Sequence, residues 1–198
     1  MYKSLKSDFP ILQKKIRNNN ITYLDTASTS QKPNSVIESI TNFYQNSYEN
    51  VHRGMNSLSI DATEIFEASR EKIKNFINAK SSNEIIFTKN ATEGTNIIAH
   101  AMSSLLNDGD EIITTELEHH SNFLPWLSLC KNKNLKFKVI PLLPNGTIKE
   151  EDVINAISSS TKLVAISHMS NVTGQMIDVK KIKTSTTNKD ILFFIDGC

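Results

Sequence analysis

Residues 163–171 are Leu163-Val164-Ala165-Ile166-Ser167-His168-Met169-Ser170-Asn171, a short apolar run that passes directly into a polar cluster. An unbroken apolar run of this length is typical of a strand that is buried on both faces, as in a parallel sheet. Ligand sites in open α/β sheets lie at the carboxyl ends of such strands. The polar cluster is therefore a place where the sequence predicts a function.

Four more predicted strands alternate with helices along the chain. The strands cover 84–88, 111–115, 137–140 and 191–195, and the helices cover 95–106, 121–131, 149–157 and 179–187. Short apolar strands that alternate with helices indicate βαβ units, a mostly parallel sheet and helices on both of its faces. The sequence therefore predicts the α/β class, as a three-layer αβα sandwich.

The first eighty residues follow a different pattern. A short strand is predicted over 21–25, a helix runs from Pro33 to about Tyr48, and a second helix follows the loop 51–59. Proline suits the first turn of a helix, where its missing amide proton would have no partner. We therefore divide the chain into a helical lead-in with a loop, residues 1–80, and a sheet domain, residues 81–198.

Composition narrows the classes of function. Hydrophobic residues make up 38% of the 198 and charged residues 22%, with a mean hydropathy of −0.30. No apolar run reaches the length of a bilayer helix, and the N-terminus lacks the apolar core of a secretory signal. A net charge of +1 gives no electrostatic case for binding nucleic acid or a membrane surface. Two cysteines are too few for a disulfide framework, which indicates a cytoplasmic protein.

Two loops that follow predicted strands could bind a ligand. In Asn90-Ala91-Thr92-Glu93-Gly94, free amides at a helix start and the Thr92 hydroxyl favour a phosphate, and the alternative is an ordinary helix cap. Glu118-His119-His120-Ser121-Asn122 places two imidazoles in one loop. Zinc is one interpretation, although further ligands at metal spacing are missing. The others are an imidazole stacked on a flat cofactor, and a helix cap at Ser121 or Asn122.

Asn171 and Asp196 follow two further strands. Asn171 could hydrogen-bond a phenolic oxygen, or form an Asx turn closed by Gly174. Asp196 ends a Phe-rich strand, where a carboxylate is costly to keep charged without a cationic partner. That partner could be a pyridinium nitrogen, a metal or an arginine, and pyridoxal phosphate (PLP) enzymes commonly pair an acid with the ring nitrogen. Cys130 lies in an amphipathic helix and is predicted to be a core residue.

Taken together, seven motifs resemble the class V aminotransferase-fold PLP enzymes, and within them the cysteine desulfurases that supply sulfur for iron–sulfur cluster assembly. The motifs stand in the family's order and spacing: 23–33, Asn50-Val51-His52-Arg53-Gly54, 87–96, Gly109-Asp110-Glu111-Ile112, 118–126, Ser170-Asn171-Val172-Thr173-Gly174 and Asp196-Gly197. The resemblance covers essentially all of this chain and about the first half of a family member. It implies the large domain of a fold type I PLP-dependent transferase, present incompletely.

The resemblance implies a role for each candidate residue. Ala91 and Thr92 would hold the cofactor phosphate, and His119 would stack on the pyridine ring. Asn171 would contact the ring hydroxyl, and Asp196 would pair with the protonated ring nitrogen. No metal is implied.

The loop that contains His52 and Arg53 would lie near the active site and the dimer interface. Family members are homodimers that take sulfur from L-cysteine as an enzyme persulfide, release L-alanine and pass the sulfur to an acceptor protein. A different PLP lyase of the same superfamily, such as a selenocysteine lyase or a kynureninase-like enzyme, is an alternative. Another is a non-catalytic remnant that binds an intact protomer.

The resemblance also implies which groups these residues do not supply. The Schiff-base lysine, in a Ser-x-His-Lys segment, and the persulfide cysteine both come after the position of Cys198. We therefore expect PLP to bind weakly or without covalent attachment, and the chain to be inactive alone. Asn90 stands where the family usually has glycine.

The resembled topology carries an expectation for folding. There the 84–88 strand pairs only with an antiparallel strand that comes after residue 198. We therefore expect 84–88 to be unpaired and 191–195 to form an exposed sheet edge. Such a chain would be aggregation-prone or molten, with Ala91 and Thr92 displaced from Asp196.

Overall fold

The computed structural model describes residues 5–188 and 190–198 and forms two compact units, Met1–Phe87 and Thr88–Cys198. The division lies after Phe87, seven residues beyond the boundary expected from the sequence. In the described part of the chain, every helix is too short or too polar to cross a bilayer.

The N-terminal unit begins with short elements. Two 3₁₀ turns, Lys6–Asp8 and Pro10–Gln13, precede a small hairpin of β1 (Lys15–Ile16) and β2 (Asn19–Asn20). Arg17 and Asn18 form its turn with φ values of 49° and 65°, which match the positive φ values of a type I′ turn. The predicted strand over 21–25 is wrong. Those residues form no ladder with any described strand: Leu24 is 89% exposed, and Ile21 and Tyr23 on the other face are only half-buried.

Two helices make up the rest of this unit. Helix α1 spans Asn34–Asn46 and α2 spans Ser57–Phe76. Pro33 is the N-cap of α1, with extended backbone angles, and so lies one residue outside the helix in whose first turn it was predicted. The Asn56 side chain caps α2 by accepting the Ser59 amide proton at 2.9 Å. No residue of α1 is buried, so its apolar stripe faces solvent in the described part of the chain.

The predicted strand over 84–88 is also not formed. Ser82–Glu84 is a 3₁₀ turn closed by a capping box, and Ile85 is extended but pairs with no described strand. The Arg70 guanidinium donates to the Ser82 and Ile85 carbonyl oxygens at 2.6 and 3.1 Å. Ile85 therefore has the backbone angles of a strand residue. Its carbonyl oxygen, however, accepts from the Arg70 side chain and not from a neighbouring strand.

The second unit contains a four-stranded parallel sheet. Its strands are β3 (Glu111–Thr115), β4 (Lys136–Ile140), β5 (Thr161–Ser167) and β6 (Leu192–Asp196), in the order β4-β3-β5-β6. The helices between them are α3 (Ala91–Met102), α4 (Leu124–Lys133), α5 (Glu150–Ala156) and α6 (Val179–Ser185), with a 3₁₀ turn at His120–Asn122. This arrangement confirms the α/β class. Helix α3 begins four residues before its predicted start, at Ala91.

Hydrophobic clusters lie on both faces of this sheet. Ile112, Leu163 and Ala165 pack with Trp126 of α4 and with α3, whereas alternate residues such as Ile113 pack with α5 and α6. Because successive strand residues point to opposite faces, one unbroken apolar strand contributes to both clusters. Burying each large side chain contributes roughly 1.5–3 kcal/mol. The unit is therefore a three-layer αβα sandwich.

Strand β6 is one edge of the sheet. Leu192 and Ile195 are 48% and 36% exposed, in contrast to the fully buried Val164 and Ile166 of β5. The exposed edge confirms the expectation for 191–195. Because all four strands are parallel, their carboxyl ends lie at the same side of the sheet, where the loops that follow them carry the candidate site residues.

Candidate functional site

The start of helix α3 has two uncommitted backbone donors. Asn90 Oδ1 accepts the Glu93 amide proton at 2.9 Å, and Glu93 Oε2 accepts the Lys89 amide proton at 2.6 Å. The Ala91 and Thr92 amides have no acceptor among the described residues. The interpretation as a helix cap is therefore confirmed, because Asn90 caps α3. Binding of an anion by the Ala91 and Thr92 amides stays a prediction.

Asn90 fits this turn without strain. Its φ of −168° and ψ of 173° are extended backbone that any residue adopts. The glycine that the family usually has here is therefore not required by the backbone conformation. The asparagine provides a side-chain cap that glycine lacks.

His119 precedes the 3₁₀ turn that leads into α4. Its Nδ1 accepts the Ser121 amide proton at 3.2 Å and lies 2.7 Å from Ser121 Oγ. The alternative of a helix cap at Ser121 or Asn122 is therefore wrong: the His119 side chain caps the 3₁₀ turn, and α4 begins after Phe123 without a side-chain cap. Because Nδ1 accepts a backbone proton, the neutral ring carries its own proton on Nε2. The ring is exposed and has a fixed hydrogen bond on one edge.

A cleft of about 450 Å³ brings the first two loops together. Its lining includes Thr92 and Asn96 of α3, His119 and His120, and Pro125 of α4. Thr92 and His119, which are 27 positions apart, thus share one surface. The lining of this cleft does not include Asn171 or Asp196.

A network of hydrogen bonds underlies the His119 loop. The Glu118 carboxylate accepts from Thr115 Oγ1 at 2.7 Å, Asn122 Nδ2 at 2.7 Å and Ser167 Oγ at 2.6 Å. Asn122 Oδ1 in turn accepts from Trp126 Nε1 at 2.9 Å. Sequence reasoning missed these roles. Glu118, Asn122 and Trp126 are four residues apart, a helical spacing that could have indicated a shared face.

Asn171 lies in a turn after β5, but its side chain does not form that turn. Ser170 Oγ accepts the Val172 and Thr173 amide protons at 3.1 and 3.2 Å, and Gly174 closes the turn with a φ of 73°. The alternative of an Asx turn at Asn171 is therefore wrong, because Ser170 takes that part. The Asn171 amide group is exposed and has no partner among the described residues.

Asp196 is the last residue of β6. It is half-buried and pairs in register with Ser167 of β5, and its carbonyl oxygen accepts the His168 amide proton at 2.8 Å. Its Oδ1 accepts the Cys198 amide proton at 3.0 Å. None of the ion pairs among the described residues involves this carboxylate. It is therefore available to a cationic partner.

His52 and Arg53 belong to the N-terminal unit. His52 has a left-handed φ of 72°, and its Nε2 lies 2.8 Å from Glu67 Oε1. The hydrogen bond with His52, and next the bonds from Arg70, lower the pKa of the Glu67 carboxyl. Gly54 lets this loop approach α2 closely, since a Cβ there would lie 2.4 Å from Ser59 Cβ. The Arg53 side chain is exposed.

The structure offers no metal centre in the part that it describes. Within residues 5–188 and 190–198, no three His, Cys, Asp or Glu side chains are grouped as metal ligands. Cys130 is buried, as predicted, and burial raises the pKa of its thiol to about 11. The Cys130 thiol is therefore protonated at neutral pH and a poor nucleophile.

Comparison with known proteins identifies the family. The aminotransferase class-V family matches residues 22–198. This chain belongs to that family. The match covers the whole sheet unit and the loops that carry the candidate residues, so the motifs of this class-V chain stand in the context that the resemblance implied.

Relatives of this class-V chain include cysteine desulfurases. A probable cysteine desulfurase of Halalkalibacterium halodurans is 42% identical over 194 residues, and a cysteine desulfurase of Serratia proteamaculans is 41% identical over 194. Each alignment covers 98% of this chain and 48% of the relative.

Solved structures of cysteine desulfurases share the fold of this chain. The apo cysteine desulfurase of Thermococcus onnurineus has a TM-score of 0.89 at 33% identity, covering 99% of this chain and 47% of that one. The cysteine desulfurase CsdA of Escherichia coli has a TM-score of 0.83 at 32% identity, with 98% and 48% covered. A more distant C-DES mutant, which holds glycine covalently linked to its PLP cofactor, shares the fold at 21% identity and a TM-score of 0.79. The fold is that of an incomplete type I PLP enzyme, and the chain spans about half the length of the relatives it matches.

Proposed function

We propose that these 198 residues form the PLP-binding N-terminal half of a cysteine desulfurase. The observation that carries the proposal is that the Ala91 and Thr92 amides have no acceptor among the described residues, while Thr92 and His119 line one cleft. An anion-binding helix start next to a flat imidazole fits a cofactor that has both a phosphate and an aromatic ring.

Each candidate residue would contact a different part of the cofactor. The Ala91 and Thr92 amides, with the Thr92 hydroxyl, would donate to the phosphate. The His119 ring, held by Ser121, would lie against the pyridine face. The Asn171 amide would hydrogen-bond the ring hydroxyl, and the Asp196 carboxylate would hold a proton on the ring nitrogen. PLP, when bound, supplies the electron sink for the chemistry of the substrate α-carbon.

The reactive groups of the proposed enzyme are not among these candidate residues. Covalent PLP catalysis needs a lysine, and sulfur transfer needs a thiol that can form a persulfide. No lysine here matches the family's lysine motif, and Cys130 is buried with a raised pKa. We therefore propose that the part of the relatives which this chain does not match supplies both groups, and that the 198 residues are inactive alone.

We propose the substrate, the product, the sulfur acceptor and the dimer interface by analogy with the cysteine desulfurases. L-Cysteine would be the sulfur donor and L-alanine the product, with a protein as sulfur acceptor. The loop with His52 and Arg53 would lie at a homodimer interface near the active site. A cytoplasmic location fits the two free cysteines.

Binding of pyridoxamine 5′-phosphate tests the proposal, because this amine has the phosphate and ring of PLP but forms no imines with surface lysines. We expect saturable binding, followed by fluorescence anisotropy of the ligand. Asp196→Ala should weaken it about 10- to 100-fold, since a hydrogen bond to a charged group contributes roughly 1.5–3 kcal/mol.

Asp152→Ala is the matched control, because Asp152 is exposed on α5 of the same unit and its carboxylate has no partner among the described residues. It should leave the affinity within twofold. Absence of saturable binding, or equal affinity of the Asp196 variant and the unmodified chain, would contradict the proposal.

A further inference from the structure

Among the described residues, the Glu118 carboxylate accepts three side-chain hydrogen bonds, from Thr115, Asn122 and Ser167. Trp126 Nε1 can only donate, and it donates to Asn122 Oδ1. This bond fixes the orientation of the Asn122 amide, so that its NH₂ group must donate to Glu118. The Thr115 hydroxyl accepts the Leu117 amide proton and donates to Glu118. A group that accepts at both of its oxygens, such as a carboxylate, is therefore what this position requires.

These bonds join separate elements of the sheet unit. Thr115 ends β3, Asn122 lies in the 3₁₀ turn, and Ser167 ends β5. The Glu118–Ser167 bond spans 49 positions and attaches the loop after β3 to the neighbouring strand. Thr115, Asn122 and Trp126 are fully buried, so the network is screened from water on the side of the core.

The two ends of the network lie next to candidate cofactor residues. Glu118 directly precedes His119 in the sequence, and the backbone N–H of Asn122 donates to the His119 carbonyl oxygen at 2.8 Å. Ser167 is the register partner of Asp196 in the ladder between β5 and β6. The network thus connects His119, which is proposed to stack on the cofactor ring, with the β5–β6 pair. That pair ends at Asp196, the proposed partner of the ring nitrogen.

We propose that Glu118 is a positioning residue, which through Ser167 fixes the His119 loop to the end of β5 beside Asp196. The proposal deepens the function proposed above and rests on it for the cofactor, but the attachment of the loop is a property of the chain itself. Glu118 touches no cofactor in this account and acts through the position of the His119 ring.

Amide hydrogen exchange of the 198-residue chain tests the attachment without a ligand. Ser167→Ala removes only the bond to β5, and we expect exchange of residues 117–122 to become at least tenfold faster. Exchange within β3 and β5 should change less than twofold. Ser185→Ala is the control, because Ser185 is exposed on α6 and its hydroxyl has no partner among the described residues. Unchanged exchange of 117–122 in Ser167→Ala would overturn the proposal.

A double-mutant cycle tests whether the network acts through His119. Ser167→Ala should weaken pyridoxamine 5′-phosphate binding about tenfold in the unmodified chain and less than twofold in a His119→Ala background. Glu118→Gln, which keeps an acceptor for Asn122, should bind more tightly than Glu118→Ala. An equal loss in both backgrounds would overturn the action through His119. Faster loop exchange without any saturable binding would overturn the cofactor site and support the attachment of the loop.

Discussion

Replacement of Asn122 by alanine should destabilise the sheet unit more than its size suggests. Asn122 is fully buried and makes two side-chain hydrogen bonds, one to Glu118 at 2.7 Å and one from Trp126 at 2.9 Å. Asn122→Ala leaves the buried indole N–H without an acceptor, at about 1–3 kcal/mol, and removes one of three donors to a carboxylate, at about 1 kcal/mol. We expect a loss of about 2–4 kcal/mol, against a total domain stability of about 5–15 kcal/mol.

Urea unfolding, followed by fluorescence, measures this loss. Trp126 is the only tryptophan of the chain, so its emission reports on the site that is changed. If the free energy of unfolding falls by about 2 kcal/mol per M of urea, the midpoint of the unfolding transition should fall by about 1–2 M. Asn132→Ala is the matched control, because Asn132 is exposed on α4, the helix that carries Trp126, and its midpoint should shift by less than about 0.25 M. Equal shifts for the two variants would refute the assignment of the network.

Two further predictions concern reactive side chains. Since burial raises the pKa of Cys130 to about 11, roughly one thiol in a thousand is ionised at pH 8. A thiol reagent should therefore label the exposed Cys198 at least 100-fold faster than Cys130, with labelling of Cys130 increasing about tenfold per pH unit up to its pKa; equal labelling by mass spectrometry would contradict the burial. Borohydride reduction with PLP should give only scattered labelling of surface lysines, and a stoichiometric label on one lysine in peptide mapping would contradict the absence of the Schiff-base lysine.

The sheet unit could be predicted from sequence because its strands are short, apolar and buried on both faces. Ile112 and Ile113 fill clusters on opposite faces, so the strand leaves no polar alternation that would indicate another structure. The two strands that were predicted wrongly, over 21–25 and 84–88, have β-prone residues but no partner strand in the described chain. Local propensity therefore identified extended backbone, whereas a strand also requires a neighbour.

The sequence was enough to select candidate site residues, but it did not predict the hydrogen bonds that support them. Asp196 ends β6, and His119 and Asn171 lie in the loops that follow β3 and β5, so topology places all three at one side of the sheet. The cap formed by the His119 ring, and the turn formed by Ser170 in place of Asn171, depend on which of two adjacent polar side chains reaches the backbone. Sequence spacing does not distinguish such neighbours, because each has a suitable acceptor atom.

Two features of the structure bear on the prediction that the chain is aggregation-prone: the unpaired segment 84–88 and the exposed sheet edge at β6. Ile86 is 73% exposed, and β6 has one free edge in the described sheet. Both features favour association with another chain. The complementary half of a relative would cover such surfaces if the chain is half of a desulfurase, and we expect it to increase the solubility of the chain.

Formation of sulfide and alanine from L-cysteine, with and without that complementary half, tests the central claim most directly. The C-terminal half of the Halalkalibacterium halodurans relative is a suitable partner, since the present chain aligns with 48% of that protein. We predict no activity of the 198 residues above free PLP with reductant. With the partner half we predict turnover that Asp196→Ala abolishes and Cys130→Ala leaves unchanged. Turnover by the 198 residues alone, or its loss in Cys130→Ala, would contradict the account.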